Sequence, residues 1–397
     1  MKKAIVYAAV IVAMLLTACQ KALLEQNQQY STDNVPVNPA HPMKDSLQYI
    51  INKYVAAGLP GVQVAVKNGD GFFAASAGYA KLESKAPLAP RSPSWLFSIT
   101  KPYTAVLVMK QKEKGVINLD EKISAYLPAD ASAMITNAGS ITVRMLLNHT
   151  SGIINVTELP EFMVGQFNAP LQQPSVSQLL SMLKGKLQRF EPGTDFSYSN
   201  SNYLLLQLML ETVTGTPYHQ LLKQEILTPL QLQRTWYDLS EGETIAFGFP
   251  NYYFDRYANS QLENVSRWNT AIANGSRGYG GIAATPSDVF RFFQSLLEGK
   301  LLSPASLQEM KTWIKGKSST QPDYGLGLEF FQYHPGSTPQ FGHEGDGIGN
   351  TTQIFYVPDN NTFLYINCTA GRKVFGPYLF KTTDMKNELC RYVARWR

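Results

Sequence analysis

The chain has 397 residues, 44% of them hydrophobic, 12% aromatic and 16% charged, with a formal net charge of +5. That length and composition support a large buried core and exclude a disordered chain. Lys2 and Lys3 lie in a segment expected to be removed, which leaves about +3 and no basic stripe, and excludes nucleic acid as the partner.

In chain order, Met1-Lys2-Lys3 is a basic start and Ala4 to Leu16 an apolar run too short to span a bilayer comfortably. Leu16-Thr17-Ala18-Cys19 resembles a bacterial lipoprotein box, which implies a signal peptide over 1–18 and lipidation at Cys19. The expected location is the bacterial cell envelope, anchored in a membrane and facing the periplasm. Gln20, where inner-membrane lipoproteins commonly carry aspartate, leans toward the outer membrane. Residues 19–42 are polar and proline-rich and read as a flexible tether.

Leu47, Ile50, Ile51, Tyr54 and Val55 recur at helical spacing before Gly58. Val62 to Val66 alternates, Asn68-Gly69-Asp70-Gly71 turns, and Phe72 to Ala77 returns as a second strand. Near the other end, Gln353–Val357 and Thr362–Asn367 form a second hairpin, followed by a helix over about 383–396. The middle is mostly helical. Strand hairpins at both ends predict one α+β domain over 43–397, with two lobes and a substrate cleft between them. An antiparallel sheet flanked by helices forms one lobe, and a helical lobe over about 102–302 is inserted in it. Cys368 and Cys390 read as buried, unbridged thiols, and so few cysteines argue against a metal cluster. No cofactor is expected.

Trp95 to Pro102 opens a helix in which Ser98 and Lys101 stand at i and i+3, within reach of each other. A serine hydroxyl needs a base, and a lysine serves if desolvation and neighbouring cations lower its pKa. Spacing alone makes a weak signal. It has company in the turn Glu191 to Asn200, which presents Tyr198 and Asn200 ahead of an apolar helix, and in Gln340 to Asp346, where glycines mark a close approach.

Ser98-x-x-Lys101, Tyr198-x-Asn200 and His343-x-Gly345, in that order, resemble the serine β-lactamase and penicillin-recognising family, in its class C β-lactamase, DD-peptidase and esterase branch. His149 to Ile153, Gly280 to Asp288 and Tyr324 to Gly327 look like further landmarks of it. The resemblance covers about residues 43–396 and implies an antiparallel sheet with an all-helical lobe. It also implies a hydrolase working through an acyl-enzyme on an ester, amide or D-amino-acid peptide substrate. Ser98 is then the nucleophile, Lys101 and Tyr198 share proton transfer, and His343 takes a place that lysine holds in many relatives. Asn200, Glu344, Gly345 and Asp346 border the substrate, and the amides of Ser98 and Asp346 form the oxyanion hole.

Glu344 stands where many relatives carry Thr or Ser, and Asp346 adds a second acid. Either the two repel a carboxylate-bearing substrate unless Arg277 or another cation offsets them, or strand alternation turns Glu344 away from the cleft. The first reading predicts a poor β-lactamase that prefers acyl groups that are neutral or carry an amine. The aromatic loop Phe247 to Trp268 either lines the cleft or packs as a surface loop. The competing function is a non-catalytic wall-binding or sensor lipoprotein of the same fold.

Overall fold

The computed structural model describes residues 35–333, 336, 338–371 and 377–396, so the expected signal peptide and Cys19 lie outside the described residues. The main sheet is built from β1 (Gly61–Asn68), β2 (Gly71–Lys81), β3 (Ala86–Pro87), β9 (Glu329–Phe331), β10 (Gln340–Asp346), β11 (Thr351–Val357) and β12 (Thr362–Cys368). Its order is β3-β2-β1-β12-β11-β10-β9, antiparallel throughout. The two predicted hairpins join at β1 and β12, where Val64 faces Ile366.

Alternation along the strands assigns each face a core. Val62, Val64, Leu364 and Ile366 pack under α1 (Lys44–Ala56) and the C-terminal helix Pro377–Ala394. Ala65, Ile354 and Tyr365 point the other way, into the core shared with the helical lobe. The C-terminal helix begins earlier than its expected start at 383, because Tyr378 continues the apolar spacing onto the same cluster. Cys368 and Cys390 are buried and free, as expected.

The helical lobe contains α2 (Thr100–Glu113), α3 (Pro160–Asn168), α4 (Asn200–Thr214) and α5 (Ser266–Gly275). It also holds strands that the sequence did not disclose. β4 (Ser94–Trp95), β5 (Thr235–Tyr237) and β8 (Ile282–Ala284) form a three-stranded sheet in the order β4-β8-β5, and β6 (Tyr253–Phe254) pairs with β7 (Glu263–Asn264). Strands of two or three residues are too short to show a period of two. Residues 35–42, assigned to the tether by composition, lie along the main sheet. Val37 bridges Phe72, the Asn38 amide donates to the Phe72 carbonyl at 2.7 Å, and His41 is buried.

Leu364 is fully buried on a strand paired on both sides. Leu364→Ala is expected to cost about 2–5 kcal/mol, read as a lower urea midpoint with an unchanged m-value.

Candidate active site

Ser98 lies in a single 3-10 turn, Phe97–Ile99, that leads into α2. Pro102 falls in the first turn of α2, where a missing amide forfeits no helical bond. Phe97 adopts φ +47, a left-handed conformation unusual for a bulky residue. Its ring fits where a Cβ on Gly347 would intrude at 2.1 Å. A Cβ on Gly345 would come within 2.0 Å of the Leu96 carbonyl oxygen, so β10 is pressed directly onto the serine turn. The Thr352 hydroxyl holds that contact, at 3.2 Å from the Leu96 carbonyl and 3.1 Å from the Gly345 carbonyl.

Lys101 is fully buried. Its Nζ is 2.9 Å from Ser98 Oγ, 2.8 Å from Asn200 Oδ1 and 3.1 Å from the Tyr279 carbonyl oxygen. The Asn200 amide nitrogen donates to Thr157 Oγ1 at 3.0 Å, which fixes its oxygen toward the lysine. Nζ also lies 4.8 Å from the centre of the Tyr198 ring and 5.5 Å from that of Tyr203. Burial raises the Tyr198 phenol well above its usual range, the Glu329 charge adds to this, and a hydrogen bond with Ser98 opposes it.

Two buried histidines stand behind Tyr198. His149 Nδ1 accepts from the Ser199 amide at 3.2 Å and from Asn202 at 3.1 Å, which puts its proton on Nε2. That Nε2 is buried without a hydrogen-bond partner among the described residues, against the rings of Tyr198, Tyr324 and Tyr203 at 4.4, 4.7 and 5.3 Å. His343 Nδ1 lies 2.6 Å from the Glu344 carbonyl, which can only accept, so Nδ1 carries the proton and Nε2 accepts from the Tyr324 hydroxyl at 2.7 Å. Both ring nitrogens of His343 are therefore engaged, and it does not line the cleft. The resemblance placed His343 among the catalytic residues, where lysine stands in many relatives. In the structure its ring is bonded to Tyr324, which packs behind Tyr198. Burial first, then the Lys101 charge, lowers both histidines well below 6.5.

Ser98, Tyr198 and Asn200 open on a cavity of about 630 Å³ between the lobes. One arm is apolar, with Phe162, Met163 and Phe167 of α3 facing Phe254, Trp268 and Ile348. The aromatic loop thus divides: Phe254 and Trp268 line the cleft, Phe247 stacks on Trp236 at 4.8 Å, and Tyr257 is exposed. The opposite side carries Glu329, Glu344 and Asp346.

Alternation explains how these acids are placed. Gly345 and His343 face the serine turn and Tyr324, while Glu344 reaches Lys386 of the C-terminal helix at 3.0 Å. Lys386, rather than Arg277, is the cation beside it; Arg277 lines a separate surface hollow with Asp238 and Glu241. Asp346 accepts from the Thr351 hydroxyl. β9 pairs with β10 only as far as Gly342, so the Glu344 amide has no ladder partner there and donates to Glu329 Oε2 at 2.8 Å. Burial, then the neighbouring Glu344 charge, pushes the Glu329 carboxyl up to about 8. Sequence reasoning missed Glu329, although a lone carboxylate in the apolar run Leu326 to Phe331 was a visible signal. It also missed the α3 wall, Thr157 and the Tyr279 carbonyl, none of which belongs to a spaced motif.

The family model described as Beta-lactamase matches residues 47–378. Penicillin-binding protein 4* of Bacillus subtilis (strain 168) is 29% identical over 317 residues, spanning 77% of this chain and 67% of that protein. Among solved structures, a D-stereospecific amidohydrolase from Streptomyces sp. superposes with a TM-score of 0.72 at 28% identity, covering 82% of this chain and 94% of that one. The D-amino acid amidase from Ochrobactrum anthropi SV3, complexed with L-phenylalanine amide, gives a TM-score of 0.75 at 23% identity over 88% of this chain and 98% of that one, a likeness of fold.

A methyl group at Gly345 has no room, so Gly345→Ala is expected to displace the serine turn. Serine labelling by a fluorophosphonate should slow by at least about tenfold, a loss of about 1.4 kcal/mol in the barrier, while far-UV circular dichroism still reports a folded chain.

The buried histidines predict a second outcome. The unfolded chain takes up a proton at each near pH 6.5 and the folded chain does not, so stability is complete above that pH and is lost as pH falls through it. Glu329 acts in the opposite sense, since the folded state keeps its proton up to about pH 8 and the unfolded state releases it near 4.5. Between pH 6 and 5 the two histidines make stability fall with falling pH, and Glu329 opposes them. Denaturant titrations across that window should show a net loss of stability toward acid, and Glu329→Gln should steepen it.

Proposed function

The chain belongs to the Beta-lactamase family, and on that premise we propose that it is a serine hydrolase working through an acyl-enzyme on Ser98. The observation that carries this reading is Lys101 Nζ at 2.9 Å from Ser98 Oγ, with Asn200 and the Tyr279 carbonyl as its other acceptors. A neutral lysine keeps two N–H donors for those two oxygens and turns its lone pair to the Ser98 hydroxyl. It takes that proton as Oγ attacks the substrate carbonyl. The amides of Ser98 and Asp346 receive the developing oxyanion, and Tyr198, bonded to Ser98, passes a proton to the leaving group. Water then attacks the acyl-enzyme by the reverse relay. Asn200 orients Lys101 and borders the acyl group. His343 contributes by holding Tyr324.

The proposed substrate is an ester or amide with an acyl group that is neutral or carries an amine. D-amino-acid amides and short D-peptides are candidates, in line with the names of the amidohydrolase and amidase that share the fold. Four carboxyl groups lining the cleft support a weak or absent β-lactamase activity. Lipid attachment at Cys19, holding the domain in the bacterial envelope with its cleft facing the periplasm, is proposed with it.

A fluorophosphonate adduct mapped by mass spectrometry is expected at Ser98 and lost in Ser98→Ala. Lys101→Met and Tyr198→Phe should each lower p-nitrophenyl ester turnover by about 10²-fold or more. No adduct with any reactive acyl donor would favour the non-catalytic binding protein. Chromogenic cephalosporin turnover should fall far below ester turnover, and comparable rates would refute the substrate assignment.

A further inference from the structure

Four acids border the cleft, and their engagements differ; Glu158 is paired with Arg189. Glu344 is bound to Lys386 at 3.0 Å, and Asp346 accepts from Thr351. Among the described residues Glu329 has no lysine or arginine in contact, although the Lys386 and Lys101 charges are near enough to act on it. Its Oε2 is fixed by the Glu344 amide at 2.8 Å, and its Oε1 stands 3.6 Å from His343 Nδ1, whose proton is already given to the Glu344 carbonyl. The side chain is 21% exposed, and the space it meets is the cleft that Ser98 also lines.

Other observations bear on what fills that space. The apolar arm of Phe162, Phe167, Phe254 and Trp268 adjoins Ser98 in the same cavity and suits an aryl or branched side chain. The Lys101 amine at the nucleophile is committed to Ser98, Asn200 and Tyr279. A small acyl donor with its carbonyl at Ser98 and its side chain in the apolar arm has its third substituent left to face the acidic side. The Glu344 amide, which a peptide strand added to β10 could have used, is already capped by Glu329. That favours a compact substrate over an extended one.

We propose that Glu329 is the specificity-determining residue that receives the ammonium group of the acyl donor, which makes this enzyme selective for amino-acid amides or esters with a free amine and an apolar side chain. The assignment rests on the acyl-enzyme reading of Ser98. A charge-assisted pair in a water-poor cleft is among the stronger hydrogen bonds available to a small ligand. The pairing also fixes which face of the acyl group meets Ser98, because side chain, carbonyl and amine are then held at three points.

The test uses the whole folded protein and two readouts. The first is kcat/KM for phenylalanine p-nitroanilide, both enantiomers, against 3-phenylpropanoyl p-nitroanilide, which lacks the amine. The amine should be favoured by at least about tenfold, or about 1.4 kcal/mol. In Glu329→Gln that ratio should collapse toward one, mainly through KM, with Glu329→Asp restoring part of it. The second is calorimetric binding of 2-phenylethylamine, which requires no acylation and should weaken by at least about tenfold in Glu329→Gln. An unchanged ratio and unchanged amine binding in Glu329→Gln would overturn the proposal, as would equal losses on both substrates. If amine binding depends on Glu329 but no acyl donor ever labels Ser98, the hydrolase reading fails and the ammonium site stands.

Discussion

Burying a lysine amine is the constraint on which the rest of this molecule depends. Removed from water, an ammonium costs several kcal/mol unless its donors are met, and a neutral amine still needs acceptors for its N–H groups. Lys101 finds them in three separate pieces of chain: the serine turn ahead of α2, the start of α4, and the carbonyl of Tyr279 just before β8. Each piece is fixed in turn. Thr104, one helical turn beyond Lys101, donates to the Gly278 carbonyl at 2.6 Å, and a Cβ on Gly278 would fall 2.9 Å from Gln207 of α4. Ser98 Oγ is thus held by an amine that cannot move without disturbing α2, α4 and the small sheet together.

Around that base, the aromatic and imidazole groups contribute polarity without further positive charge. Protonating either histidine would add a buried cation near Lys101, where burial weakens screening. The tautomers read from the hydrogen bonds avoid this, because each ring has one nitrogen accepting from a neighbour. Tyr324 links the two through contact with both rings, 4.7 Å from His149 and 5.6 Å from His343. A neutral imidazole at 343 holds shape where a lysine would have held charge. That difference alone makes the cleft less attractive to a carboxylate.

The legible parts of the structure were those encoded locally. The two hairpins, α1 and the helix after Asn200 follow from spacing within a dozen residues, and Ser98 with Lys101 needs only one turn of helix. The glycines of β10 signalled a close approach, and the Leu96 carbonyl is what approaches. What stayed hidden was contact between distant segments. Nothing in the sequence ties Lys386 to Glu344, because the pair forms only when the C-terminal helix packs on the main sheet. The bond between His343 and Tyr324 stayed hidden because Tyr324 arrives from a separate loop. The capping of the Glu344 amide by Glu329 depends on β9 ending two residues short, a boundary of the kind that patterning resolves least well.

That short strand links fold to selectivity. Had β9 run on beside Glu344, its backbone would have met the open amide and the Glu329 side chain would not have been needed there. Because it stops, a carboxyl group is drawn to the cleft edge by a backbone donor and held in poorly hydrated surroundings. The same burial that pushes its pKa up makes a second anion expensive there. Two unit charges 4 Å apart near a protein surface repel by about 4 kcal/mol, enough to exclude a substrate carboxylate even when Glu329 is ionised for part of the time. A cation entering the cleft feels the reverse sign. Penicillins carry a carboxylate close to the scissile amide and amino-acid amides carry an amine there, so the proposed selectivity between the two traces to the end of one edge strand.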